Sequence, residues 1–142
     1  MTLWTMPRNS CLMFYMEHSL SFSIPVKAIP KGRPRLSRFG RAFTPKKTQD
    51  FEEIIRDHSR AIMNDLDVID TMISVSVSFT FKQPNKPSRA YPSKGDLDNF
   101  LKAVLDGMNG IVFFDDVQIT HIEASKKYGE FDLIDIKIFW IG

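Results

Sequence analysis

Two aspartates, Asp96 and Asp98, are the residues whose type and spacing most directly suggest chemistry. In an extended chain, side chains two residues apart leave the backbone on the same side, while Leu97 points to the core. Two carboxylates about 5 Å apart repel each other by about 3 kcal/mol at an effective dielectric constant of about 20, so a cation or a lysine is needed to neutralise them. Lys102 follows Asp98 by one helical turn and is expected to return to the acidic pair. Asp106 is expected to face the same way, where it either orients Lys102 or is simply exposed.

A second acidic pair, Asp115 and Asp116, follows a short apolar run over residues 111–114. Carboxylate oxygens from separate chain segments, with no cysteine or histidine at ligand spacing, are the donors that Mg²⁺ prefers. The two acidic pairs are therefore candidate Mg²⁺ ligands. Taken alone, each feature also has a simpler interpretation, in which Asp98 is a helix N-cap and Asp115–Asp116 is a turn.

The segment from residue 27 to residue 47 is rich in proline, glycine and positive charge, and it contains no acidic residue. Its basic residues are Lys27, Lys31, Arg33, Arg35, Arg38, Arg41, Lys46 and Lys47. Such a cluster is typical of a phosphate-binding surface, and DNA binding through it would weaken steeply with salt. Pro34 favours this interpretation because it fixes the backbone between two guanidinium groups. A solvated, flexible loop is the alternative. Phe39 and Phe43 within it are candidates for stacking on splayed bases.

Hydrophobic periodicity predicts the elements that must position these groups. They are a strand (19–26), a helix with Thr48 as its N-cap, a strand (72–81), a helix (99–108) and two further strands (117–125 and 134–140). The intervening segments 27–47 and 83–94 are predicted to be loops. This order of elements predicts a small α+β domain with two main helices.

Length and composition limit the class of protein. The chain has 142 residues, of which 43% are hydrophobic, and this is enough for one domain with a core. Its single cysteine excludes an internal disulfide and a cysteine-based zinc cluster. No apolar run is long enough to span a membrane, so we expect a soluble protein of the cytoplasm without membrane partners. Residues 1–15 lack periodicity and are expected to be an N-terminal extension of a 16–142 domain. Met16 is an alternative start.

Several motifs taken together resemble the RusA family of Holliday junction resolvases. These motifs are Lys31-Gly32-Arg33-Pro34-Arg35, Phe43-Thr44-Pro45, the block from Asp96 to Asp106, Asn109-Gly110-Ile111-Val112, and Asp115-Asp116-Val117-Gln118. They occur in the family's order, and the resemblance runs from about Ser19 to the C-terminus. The block from Asp96 to Gln118 is specific, whereas the basic motif alone is weak.

The resemblance implies a mixed β-sheet and a homodimeric, Mg²⁺-dependent endonuclease that resolves four-way DNA junctions by paired symmetric nicks. It implies catalytic and metal-binding roles for Asp96, Asp98 and the acidic doublet, with Asp116 preferred and Asp115 left open, and a catalytic role for Lys102. The expected DNA-binding residues are Lys31, Arg33, Arg35, Arg38, Arg41, Lys46 and Lys47. Such resolvases often belong to phages and prophages, so the expected setting is the cytoplasm of a bacterial or phage-infected cell.

Two other functions stay open at this point. One is a non-catalytic protein that binds branched DNA, in which the acids only cap and turn. The other is a metal nuclease that acts on other branched or flap DNA. A Mg²⁺ titration of junction cleavage and a comparison of substrates would separate them from the resolvase.

Overall fold

The structure, a computed structural model, describes residues 18–141. In chain order its elements are β1 (His18–Ile24), β2 (Arg35–Leu36), β3 (Ala42–Phe43), α1 (Lys46–Ile62), β4 (Ile73–Lys82), α2 (Leu97–Met108), a 3₁₀ turn (Asp116–Gln118), β5 (Ile119–Gly129) and β6 (Leu133–Trp140). The predicted α+β class with two main helices is confirmed. The expected extension, residues 1–15, lies outside the described residues.

Four strands form a mixed sheet in the order β1-β6-β4-β5. β4 and β5 are parallel because the chain between them passes through α2, whereas β6 is antiparallel to both β1 and β4. The short connection after β5 leads to β6 on the far side of β4. There the Asp132 carboxylate accepts a hydrogen bond from the Lys82 backbone N–H at 2.9 Å. This bond holds the connection across the end of β4.

The core lies between one face of this sheet and the two helices. A row of apolar side chains crosses all four strands, from Phe22 through Ile136 and Val77 to Ala124. Each fully buried aliphatic or aromatic side chain stabilises the fold by about 1.5–3 kcal/mol. The opposite face carries the alternate residues, many of them serines. The period-two alternation of β4 therefore predicted its buried face correctly.

The first helix begins earlier than predicted and uses Thr48 differently. α1 starts at Lys46, after Pro45 at the N-cap position, so Thr48 lies inside the helix and is 2% exposed. Its hydroxyl accepts a hydrogen bond from the Gly32 backbone N–H at 2.9 Å. The prediction of Thr48 as N-cap is wrong because this hydroxyl joins the basic segment to α1 instead.

A close contact sets the separation of the two helices. Gly107 of α2 packs against Ile55 of α1, and a Cβ added at Gly107 would lie 2.7 Å from the Ile55 side chain. A glycine inside a helix costs stability relative to alanine, so its use here reflects the packing it permits. The contact holds α2 closely against α1.

The basic segment contains a small hairpin that the sequence analysis assigned to a loop. Arg35 pairs with Phe43 and Leu36 with Ala42, and these pairs form the two-stranded sheet β2–β3. The turn is closed by Ser37, whose hydroxyl accepts hydrogen bonds from the backbone N–H groups of Phe39 and Arg41. Positively charged side chains are therefore presented on an ordered ribbon.

Candidate active site

The first acidic pair lies at the start of α2. Asp96 occupies the N-cap position in extended conformation, and Asp98 is in the first helical turn. The extended geometry predicted for this pair is therefore wrong from Leu97 onward. The alternative interpretation of Asp98 as the helix N-cap is wrong, because Asp96 holds that position, and Asp96 makes no side-chain cap hydrogen bond. The helix N-terminus favours both negative charges, because its unpaired N–H groups carry partial positive charge.

A basic side chain from β5 also reaches this end of α2. The Lys126 ammonium donates a hydrogen bond to the Gly95 carbonyl oxygen at 2.9 Å. Sequence analysis missed this residue because it lies in a regular strand, thirty positions beyond Asp96. The available signal was its position two residues from both Ala124 and Tyr128, which places it on the same face of β5 as these residues.

Lys102 lies one helical turn beyond Asp98, but it pairs with Asp106, the first of the two roles expected for that residue, and not with the acidic pair as predicted. Its ammonium is 3.8 Å from Asp106 Oδ1, at the next turn toward the C-terminus. Within residues 18–141 no ion pair joins Lys102 to Asp96 or Asp98. Asp98, Lys102 and Asp106 recur every four residues and so form one stripe about 12 Å long on α2.

The second acidic pair opens the 3₁₀ turn before β5. Asp115 is the N-cap of this turn and accepts a hydrogen bond from the Val117 backbone N–H at 3.5 Å. Asp116 occupies the first position of the turn and makes no such capping bond. The simple turn interpretation therefore accounts for Asp115 but leaves the carboxylate of Asp116 unexplained.

Gln118 fixes the position of this acidic turn. Its side-chain oxygen accepts hydrogen bonds from the N–H groups of Phe114 and Asp115, at 2.8 and 2.9 Å. Its amide nitrogen donates to the carbonyl oxygens of Ile69 and Thr71, both at 2.8 Å. One side chain thus joins the turn to the chain just before β4. These hydrogen bonds give a structural role to the glutamine that follows the acidic doublet in the motif.

The two carboxyl groups of the turn interact with each other and with α2. A hydrogen bond to Asp116 holds the pKa of Asp115 below its usual value, and the Val117 N–H and the Asn109 side chain add to this lowering. The same contact raises the pKa of Asp116, whereas the positive charge of Lys102 opposes the rise. Two neighbouring carboxyl groups whose pKa values move in opposite directions titrate as a pair, because their negative charges repel each other. A nearby cation would stabilise the fully ionised pair.

The charges of Lys102 and Asp106 both act on Asp116, so the acidic turn lies near the C-terminal part of the stripe on α2. Within residues 18–141, no three acidic, histidine or cysteine side chains are close enough to hold a metal ion by themselves. Mg²⁺ is commonly bound by only one or two carboxylates, and waters and substrate phosphates complete its octahedron. The all-oxygen donors at the two acidic pairs fit this requirement. Asn109, beside Asp115, is a further oxygen donor that sequence analysis did not single out.

Six of the seven predicted DNA-binding residues lie exposed along the hairpin and the start of α1. They are Arg33, Arg35, Arg38, Arg41, Lys46 and Lys47. In the part of the chain that the structure describes, only Lys46 of these six has an ion-pair partner, Asp50 at 3.9 Å. The Arg38 guanidinium lies over the ring of Phe39, 5.5 Å from its centroid, and that ring is 82% exposed. The hairpin therefore combines free positive charge with an exposed aromatic ring.

Lys31 differs from the other six. Its side chain is 20% exposed, and its ammonium contacts Glu52 of α1 and, at 2.9 Å, Asp106 Oδ2 of α2. Burial opposes the charged form, but the hydrogen bonds to Glu52 and Asp106 raise the pKa of Lys31 above its usual value. Local sequence patterns do not reveal Glu52 as a partner of Lys31, because the contact depends on how the helices pack.

Two further observations concern the rest of the described surface. A depression of about 410 Å³ lies on the face of the sheet away from the helices, and its lining residues include Ser21, Ser76 and Lys137. None of the predicted site residues lines it. No helix among residues 18–141 is long and apolar enough to cross a membrane.

Comparison with known proteins identifies the family. The family model described as Endodeoxyribonuclease RusA matches residues 25–139, which include the basic segment, both helices and the acidic turn. An uncharacterized protein of Bacillus subtilis (strain 168), YqaN, is 25% identical over 134 residues, covering 84% of this chain and 94% of that relative. This chain therefore belongs to the RusA family of Holliday junction endodeoxyribonucleases.

Proposed function

We propose that this protein is a Mg²⁺-dependent endonuclease that resolves four-way DNA junctions by paired symmetric nicks. The observation that carries the proposal is the approach of the acidic turn to Lys102. The charge of Lys102 acts on Asp116, fourteen positions further along the chain, and the Lys102 ammonium is 3.8 Å from Asp106 Oδ1. An ammonium beside carboxylates of separate elements suits hydrolysis of a phosphodiester, in which negative charge must be both bound and stabilised.

In this proposal Asp96, Asp98 and Asp116, with Asp115 as a further candidate, supply ligands to one or two Mg²⁺ ions. Waters and substrate phosphates complete the coordination, because no three of these carboxylates are close enough to hold an ion by themselves. Bound Mg²⁺ would lower the pKa of a coordinated water and stabilise negative charge on the phosphate and the departing oxygen. Lys102 places a positive charge beside the scissile phosphate or orients the attacking water. The expected products carry 5′-phosphate and 3′-hydroxyl ends, which a ligase can seal.

The exposed basic residues of the hairpin and of the start of α1 are proposed to contact the phosphates of the duplex arms. Phosphate contacts position a protein on DNA without reading its sequence, which suits recognition of a branched shape. The ring of Phe39, exposed beside Arg38, is proposed to stack on an unpaired base near the branch point.

The proposal also includes a homodimer, because two symmetric nicks across a junction require two active sites related by a two-fold axis. One candidate interface would use the apolar residues of α1. That use is disfavoured by their burial against the sheet, since Phe51 and Ile55 are 2% and 0% exposed. Trp140, at the end of β6, is half-buried and stacks on His18 with ring centroids 5.5 Å apart.

The test is cleavage of a synthetic mobile junction by the purified chain, with and without Mg²⁺, beside the Asp98→Asn variant. We expect paired nicks only with Mg²⁺, and loss of cleavage with retained junction binding in the variant. Binding without cleavage at every Mg²⁺ concentration would instead support a non-catalytic protein. Equal cleavage of flap and four-way substrates would support a nuclease of broader specificity. Wild-type cleavage by Asp98→Asn would contradict the site.

A further inference from the structure

We infer that Asp106 is a positioning residue for Lys102, and that Lys31, held by Glu52, fixes Asp106 in place. The inference rests on the proposed function, in which Lys102 acts beside the scissile phosphate. It concerns four charged side chains from three parts of the chain: the segment before the hairpin, α1 and α2.

The two oxygens of Asp106 contact two different ammonium groups. Oδ2 is 2.9 Å from Lys31, and Oδ1 is 3.8 Å from Lys102. The carboxylate is 26% exposed, whereas the Lys102 side chain is 60% exposed. Asp106 is therefore the inner partner of the pair, and its orientation determines where the ammonium of Lys102 finds an opposite charge.

Lys31 is itself attached to both helices. Its ammonium also contacts Glu52, whose side chain is 13% exposed, and its backbone N–H donates to the Asn99 carbonyl oxygen at 2.9 Å. Long lysine side chains lose much rotamer freedom when they are fixed, so an exposed pair on one helix rarely holds a single geometry. A carboxylate already fixed by a partly buried partner loses less conformational freedom when it pairs with a second ammonium group. This arrangement distinguishes Asp106 from an ordinary surface aspartate.

The charge balance gives a second reason for Lys31. The negative charges of Asp106 and Asp115 both act on the Asp116 carboxyl group. Lys31 compensates Asp106 from the inner side, so Lys102 is not required to neutralise it fully and remains available to substrate. Lys31 was predicted to contact phosphate, but in this inference it supports the active site instead.

A double-mutant cycle tests this inference through the single-turnover cleavage rate at saturating junction and Mg²⁺. We expect Asp106→Asn to slow cleavage about tenfold or more in the wild-type background, and less than about twofold in the Lys102→Met background. Asp57→Asn is the matched control, because Asp57 is paired with Arg60 in an exposed contact on α1. It should leave the rate unchanged.

Two further variants separate positioning from folding. Asp106→Glu keeps the negative charge that pairs with both lysines. It is expected to recover part of the rate lost in Asp106→Asn. Lys31→Met should slow cleavage while leaving the salt dependence of junction binding unchanged, whereas loss of a phosphate contact would reduce its slope by about one.

The outcomes are distinct for the two proposals. Equal slowing by Asp106→Asn in both backgrounds, or no slowing in the wild type, would overturn the inference while junction cleavage by the wild type upheld the proposed function. A changed salt slope in Lys31→Met would overturn the role given to Lys31. Absence of wild-type cleavage would overturn the proposed function, and the inference would fall with it.

Discussion

At the scale of single residues, the two members of the acidic turn differ in what their carboxylates already do. Asp115 caps the 3₁₀ turn, whereas Asp116 makes no capping bond and experiences the charge of Lys102. We therefore expect Asp116→Asn to lower the single-turnover cleavage rate by at least about a hundredfold. Asp115→Asn should have a clearly smaller effect on the same rate. The reverse order would assign the principal ligand to Asp115.

The sequence identified the chemically important residue types but not all of their partners. The acids and Lys102 became candidates through their spacing together with the resemblance to the RusA family, because each feature alone also has a simpler interpretation. The partners of Lys31 could not, because Glu52 and Asp106 lie on two helices whose packing no local pattern describes. A run of basic residues suggests a single use for all of them. Tertiary contacts then separate one lysine from the rest.

At the scale of elements, Gln118 is the contact on which the position of the acidic turn depends. Replacing it by leucine removes four hydrogen bonds between the turn and the segment before β4. We expect Gln118→Leu to lower the free energy of unfolding by about 1–3 kcal/mol, measured by urea denaturation, and to slow cleavage. Gln49→Leu is the control, because Gln49 is exposed and its side chain makes one hydrogen bond, to the Thr44 carbonyl. Equal stability of the two variants would contradict the role of Gln118.

The separation of α1 and α2 gives a second prediction at this scale. Gly107→Ala places a methyl group about 2.7 Å from Ile55, so the helices must move apart. We expect a loss of about 1–3 kcal/mol in the free energy of unfolding, typical of overpacking in a core. Gly110→Ala is a useful contrast, since no atom lies within 4 Å of an added Cβ and only its φ of +83° opposes the change. An unchanged free energy of unfolding in Gly107→Ala would show that the helices can move apart without loss of stability.

Element boundaries show where local patterns were sufficient. Alternation predicted both ends of β4 to within one residue, because apolar and polar side chains alternate along almost its whole length. The predicted start of α1 was wrong, because the Thr48 hydroxyl accepts a hydrogen bond from Gly32 and does not cap the helix. The hairpin was missed because its strands have two residues each, too few for a period to be seen. Short or tertiary-determined features therefore require the structure.

At the scale of the whole molecule, the order of the strands in the sheet could not be predicted from the sequence. Six elements in a given order predict an α+β domain, but β6 pairs with β4 and β1 instead of with the preceding strand β5. That choice depends on which apolar faces meet, and all the strands offer similar ones. The order matters for function, because it places α2 and the acidic turn on the connection between the parallel strands β4 and β5.

The distribution of charge over the molecule gives the last prediction, which concerns junction binding. The hairpin presents Arg35, Arg38 and Arg41 to solvent, so each is available to a phosphate. Each lost phosphate contact reduces the slope of log K against log salt by about 0.9, and the triple Arg→Gln variant should reduce it by about 2.7 per bound chain.

The matched control replaces Arg56 and Arg60 of α1, which are paired with Glu53 and Asp57 and lie outside the basic segment. Their replacement by glutamine should leave the slope unchanged, although it also lowers the net charge. The comparison therefore separates direct contacts from the general attraction of a positive protein to DNA. Equal slopes for the wild type and the hairpin variant, measured by junction binding across a salt series, would mean that the hairpin faces away from the DNA.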